Sequence, residues 1–142
     1  MSTIHFFFPA PVNVLRQRNN LKLFLDKTAR KEGRPIDSLN IIFCSDDYLL
    51  SINRLYLQHD YYTDIITFDL SSSRQLPIQA ELYISIDRVK DNAVQLGLTY
   101  CKELHRVIFH GLLHLLGYKD KSTSDQKKMR EMEEKLLRQY FN

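Results

Sequence analysis

The stretch from Thr99 to Asp120 constrains this chain more than any other. It reads as a long, apolar helix capped by Thr99, running to Leu116 and stopped by Gly117 as its C′ residue. His110 and His114 lie four positions apart within it. Four helical steps rotate about 400°, so the two rings project within about 40° of each other, one turn apart. That separation suits two imidazole nitrogens on one Zn²⁺. After Gly117 the chain can turn back, and Asp120, six positions past His114, could complete a three-ligand face. Three protein ligands leave a position open for water, as catalytic rather than structural zinc sites do. The competing reading is a pair of satisfied core histidines; the helix stop and the carboxylate just beyond it speak for ligands. His105, five positions before His110, points about 140° away and reads as a surface or packing residue.

Metalloprotease helices carry His-Glu-x-x-His, with the Glu as general base. Here Gly111 holds the Glu position. A base would have to be another group or the metal-bound hydroxide itself. Asp64, opening a strand, is one candidate, as a base or as outer support to a ligand histidine. It also fits a plain turn-capping Asp.

The rest of the chain supplies a frame for that site. With 142 residues, 44% of them hydrophobic, it has the length of one domain with a real core, residues 1–142. Ile4 to Phe8 reads as a strand stopped by Pro9 and Pro11, and Asn19 or Asn20 as the cap of a helix ending at Gly33. A strand at Ile41–Cys44 precedes a helix capped by Asp46 or Asp47. A polar turn, 58–63, leads to a strand from Asp64 to Leu70 and a loop to Gln79. Alternation around Leu82, Ile84 and Ile86 marks a fourth strand. Asp87 and Thr123 then open two further helices around the long one. The order β-α-β-α-β-β-α-α-α, with four strands and mixed connections, predicts an α+β or mixed α/β layer, a sheet covered by helices.

Charge excludes little. The net charge of +3 permits a polyanionic partner without requiring one. Arg16, Arg18, Lys22, Lys27, Arg30, Lys31 and Arg34 could follow a phosphate backbone or form a solvated helix face. The last helix, with Met129, Met132 and Leu136 inward and its charges outward, reads as ordinary amphipathic packing. Cys44 and Cys101 form no CxxC and read as two buried, reduced thiols. No secretory signal is visible, and no apolar run approaches the ~20 residues that cross a bilayer. The expectation is a cytoplasmic protein without a membrane partner.

Residues 110–120, His-Gly-Leu-Leu-His-Leu-Leu-Gly-Tyr-Lys-Asp, resemble the signature of the YbeY family, bacterial rRNA maturation factors described as metal-dependent endoribonucleases. Asn53, Tyr56, Asp60, Thr63, Asp64, Thr67 and Phe68 match a second family motif, and Glu81 through Ala93 a third, weaker one. The resemblance spans roughly residues 20–140. It implies an α+β fold, a small four-stranded mixed sheet covered by helices with a zincin-like metal-binding helix in a cleft, and zinc held there by His110 and His114; the family's third ligand, usually a histidine, falls on Asp120. A carboxylate there lowers the site's charge by one and widens the choice of metal toward Mn²⁺ or Fe²⁺. The family's Arg after the second-motif tyrosine is Leu57 here, so phosphate handling would pass to Arg54 or His59. The family's Pro before Thr63 is Tyr62.

The expectation from this resemblance is a single-strand-specific endoribonuclease acting in rRNA 3′-end maturation, holding one zinc ion per chain, with rRNA precursor and the ribosome or its small subunit as partners. Two other readings stay open: a peptidase-like hydrolase using the same metal, and a non-catalytic ribosome-binding factor with a structural metal.

Overall fold

In a parallel strand flanked on both sides, every backbone donor and acceptor is used, so such a strand tolerates polar residues between apolar ones. This explains why β2 (Ile36–Cys44) begins five residues before the expected Ile41: it pairs in parallel with β1 (Thr3–Phe7) and with β4 (Ile78–Ser85). The computed structural model describes residues 2–8 and 15–142; the strand stop expected at Pro9 and Pro11 lies outside them. β4 likewise starts earlier than the alternation at Leu82 suggested. β3 (Ile65–Asp69) pairs antiparallel on its far side, giving the sheet order β1-β2-β4-β3. This is the expected α+β fold with a four-stranded mixed sheet.

Side-chain alternation separates the sheet into two faces. Leu39, Ile41, Phe43, Ile78, Leu82 and Ile84 enter the main core, which α1 (Arg18–Lys31) and α4 (Tyr100–Leu115) cover. Cys44, Ile66 and Tyr83 join a smaller cluster with Leu49 and Ile52 of α2 (Asp46–Leu57). Two further helices, α3 (Ile86–Leu96) and α5 (Thr123–Tyr140), flank α4.

The caps correct the expectation in a consistent way. A serine one or two residues upstream takes the place of the expected Asp or Thr: Ser45, Ser85 and Ser122 accept from the N–H groups of Tyr48, Arg88 and Asp125, each at 3.1 Å. The aspartates that follow Ser45 and Ser85 then occupy first turns, where negative charge complements the helix dipole. Thr99 caps α4 as expected. α1 starts after Gln17 in a left-handed conformation, with neither Asn19 nor Asn20 as its cap.

α4 is apolar on most of its circumference and runs through the core. Leu104, Ile108, Phe109, Leu112 and Leu113 are at most 1% exposed. Burying each such side chain stabilises the fold by roughly 1.5–3 kcal/mol relative to exposure. The helix lies closest to the sheet at Gly111, where a Cβ would meet Ile65 Cδ1 at 2.8 Å and Leu82 Cδ1 at 2.9 Å. Arg34 secures its far end. This side chain, expected among the solvated or RNA-tracking cations, is buried and donates to the Leu115 carbonyl at 2.7 Å and to Asp69 at 2.9 Å. Cys101 corrects another expectation: it is exposed, and only Cys44 is buried, its thiol pushed up to about 12 chiefly by that burial. Among the described residues no helix is long and apolar enough to cross a membrane.

The close approach at Gly111 yields a first prediction. Gly111→Val should lower stability by about 2 kcal/mol through overpacking against Ile65 and Leu82. A urea midpoint equal to that of the unchanged protein would show that the contact has slack.

Candidate metal centre

The last turn of α4 carries His110 and His114 to the edge of the core, each partly exposed. Gly117, at φ 102°, ends the helix in a left-handed conformation that suits glycine. The chain then doubles back through Tyr118, and Asp120 arrives beside both rings. His110 Nε2 lies 3.0 Å from His114 Nε2, and Asp120 Oδ2 lies 3.2 Å from the latter and 3.5 Å from the former. The three expected ligand residues therefore meet, their donor atoms all within 4.8 Å of one another.

The opposite edges of the rings fix which atoms face that point. His110 Nδ1 is 2.5 Å from Glu133 Oε2, and His114 Nδ1 is 3.1 Å from the Tyr118 carbonyl. A carboxylate and a carbonyl can only accept, so both Nδ1 atoms donate. The two Nε2 atoms then face each other and a carboxylate oxygen. Such a cluster needs a proton or a cation at its centre, and its N₂O donor set suits zinc or a similar divalent ion.

Behind His110 stands an ion-pair chain that the sequence reading took for ordinary helix charge. Glu133 of α5, 5% exposed, also accepts from Arg106 Nη1 at 3.0 Å. Arg106 grips the fully buried Glu103 with two bonds of 2.6 Å. Burial alone would raise the Glu133 carboxyl. The hydrogen bond from His110 and the Arg106 charge outweigh it and hold Glu133 below the usual carboxylate range. A ligand histidine whose second nitrogen is held by a carboxylate is fixed in tautomer and orientation and is a stronger donor.

The donor atoms open on a cleft of about 680 Å³, whose lining includes Asp64, Arg74, Lys121, His59 and Tyr61. Asp64 accepts from Asn92 Nδ2 at 3.2 Å and lies 3.7 Å from Arg106 Nη2. Burial pushes its carboxyl up, more than Arg106 and His110 pull it down. Arg54 is not part of this lining; its exposed guanidinium pairs with Asp60. His105 is a packing residue, buried against Phe109, Tyr140 and Phe141.

Fold and centre together define a small α+β protein with a His–His–Asp group that could hold a metal ion toward the end of its central helix. The family model described as "Endoribonuclease YbeY" matches residues 11–141. A protein of that name from Cytophaga hutchinsonii is 53% identical over 135 residues, 95% of this chain and 94% of the relative. Another, from Bacteroides thetaiotaomicron, is 46% identical over 114 residues, covering 80% and 82%. The solution structure of TM1509 from Thermotoga maritima superposes with a TM-score of 0.69 at 29% identity, covering 99% of this chain and 89% of that one. The chain belongs to the endoribonuclease YbeY family.

If Glu133 orients His110, Glu133→Gln should weaken divalent-metal binding about 10–100-fold, as losses of such outer partners do. Competition with a chromogenic zinc chelator measures this directly. An unchanged Kd would leave Glu133 a purely structural ion-pair partner.

Proposed function

We propose that this chain is a metal-dependent endoribonuclease of single-stranded RNA that acts in the cytoplasm on rRNA precursors in contact with the ribosome, and that residues 1–142 form one hydrolase domain. The observation that carries this is the convergence of His110 Nε2, His114 Nε2 and Asp120 Oδ2 at an open cleft, with both Nδ1 atoms already engaged. These three side chains would hold one ion, zinc in our reading. When bound, the ion supplies Lewis acidity toward a phosphate oxygen and makes water more acidic.

The chain's own groups divide the remaining work. Asp64 lies on the cleft wall with its carboxyl raised by burial, which suits a group that takes a proton from an attacking water. Asn92 and Arg106 restrain it. Arg74 and Lys121 line the cleft and would neutralise the substrate's phosphates. Of the two residues expected to handle phosphate, His59 lines the cleft, whereas Arg54 lies outside the lining and pairs with Asp60. A peptidase reading is not favoured: the position of the missing glutamate is Gly111, which lies against the sheet rather than the cleft. Nor is the non-catalytic reading, since the relatives matched here carry the name of an endoribonuclease.

A labelled rRNA-precursor fragment tests the proposal. We expect cleavage that a chelator abolishes and that His114→Ala lowers at least about 100-fold, since it removes a ligand. Asp64→Asn should lower kcat about 10²–10⁴-fold while metal binding persists. Cleavage by His114→Ala at the wild-type rate would sink the reading.

A further inference from the structure

The lining of the cleft includes an aromatic pair, His59 and Tyr61. That pair is built by the turn that follows α2. Asn53, 2% exposed, anchors that turn twice: its side-chain amide donates to the Tyr61 carbonyl at 2.9 Å, and its own carbonyl accepts from the His59 N–H at 3.0 Å. Gln58 allows the reversal by adopting φ 57°. The outcome is a stacked pair: the His59 and Tyr61 rings lie 5.2 Å apart at 21°, and the Tyr61 hydroxyl meets His59 Nδ1 at 3.0 Å.

Folding does not account for this pair. Tyr61 is 56% exposed and His59 is exposed, and neither ring belongs to a hydrophobic cluster. Leu57, 40% exposed, adds apolar surface to the same cleft wall. Arg54, the basic residue nearest in sequence, is paired with Asp60 and lies outside the lining. His59 and Tyr61 thus offer π surface to the cleft, held in place by a buried amide. Flat, sequence-tolerant π surface beside a reaction centre is what an unstacked nucleobase recognises, whereas a phosphate recognises charge.

We propose that the His59–Tyr61 pair is a stacking platform for an unpaired nucleobase of the RNA next to the cleaved linkage. This rests on the endoribonuclease reading above and adds how the substrate is gripped: bases on the Tyr61 wall, phosphates on Arg74 and Lys121. A paired base is already stacked within its helix, so the platform selects single-stranded RNA.

The chain contains no tryptophan, so Tyr61→Trp keeps a stacking ring and introduces a single fluorophore at the platform. Metal-free Tyr61→Trp protein is titrated with a short oligouridylate and, separately, with an abasic oligonucleotide of equal length and charge. Quenching by the first and not the second supports the platform; an equal response to both, or none to either, overturns it. In cleavage assays Tyr61→Ala should raise KM about tenfold with kcat and the salt dependence unchanged, the size expected for one lost stacking contact, while Tyr61→Trp retains the normal KM. An unchanged KM in Tyr61→Ala overturns the proposal. Base-dependent quenching with a wild-type protein that cleaves nothing would keep the platform and refute the nuclease.

Discussion

The hydrogen bond from His110 Nδ1 to Glu133 joins the packing of the molecule to its chemistry. Glu133 reaches His110 only because α5 crosses α4 at that level, and Arg106 and Glu103 complete the crossing from within α4. Burying two carboxylates costs far more than one guanidinium offsets in an apolar interior. Glu103, Glu133 and Asp64 all converge on the one guanidinium of Arg106. A divalent ion held by the histidines and Asp120 would offset the negative charge left over, so the helix crossing and cation binding would favour one another.

The second constraint is the contact between α4 and the sheet at Gly111. It sets the depth of the helix and thereby the height at which His110 and His114 emerge above β3. It also separates this centre from protease helices of similar outline. A side chain at that position would enter the space of Ile65 and Leu82 instead of the cleft. The base must come from another element, and Asp64, just ahead of β3, is placed for it.

Element order, the α+β class and the meeting of His110, His114 and Asp120 were legible in the sequence because each rests on a local period or a local stop. The cap residues slipped by one or two positions, since serine and aspartate both cap well and neighbouring positions compete for the role. Arg34 and Glu133 look like surface charges in the sequence yet are buried, because a charged residue reads the same whether it meets water or a partner distant in sequence. Glu133 left a faint signal. It stands four after Met129 and three before Leu136, on the very stripe read as inward. A carboxylate on an apolar stripe needs a buried partner. The His59–Tyr61 pair left none, because its order comes from the buried Asn53 amide holding a turn eight residues later.

Charge on the cleft wall explains why such a centre would handle a polyanion only when loaded. Asp69 is matched by the buried Arg34, which leaves Asp64 and Asp120 against Arg74 and Lys121, close to neutral. A neutral wall gives a phosphate chain little attraction, and the carboxylates nearest the reaction point repel it. A divalent ion at the His–His–Asp site places positive charge at the point where a phosphate must sit. Aromatic stacking by His59 and Tyr61, indifferent to charge, would then hold a strand whose electrostatic grip is concentrated at one place. A duplex, with its bases already stacked, would be left with that one charged point alone, so on this proposal selection for single strands follows from how little of the cleft is basic.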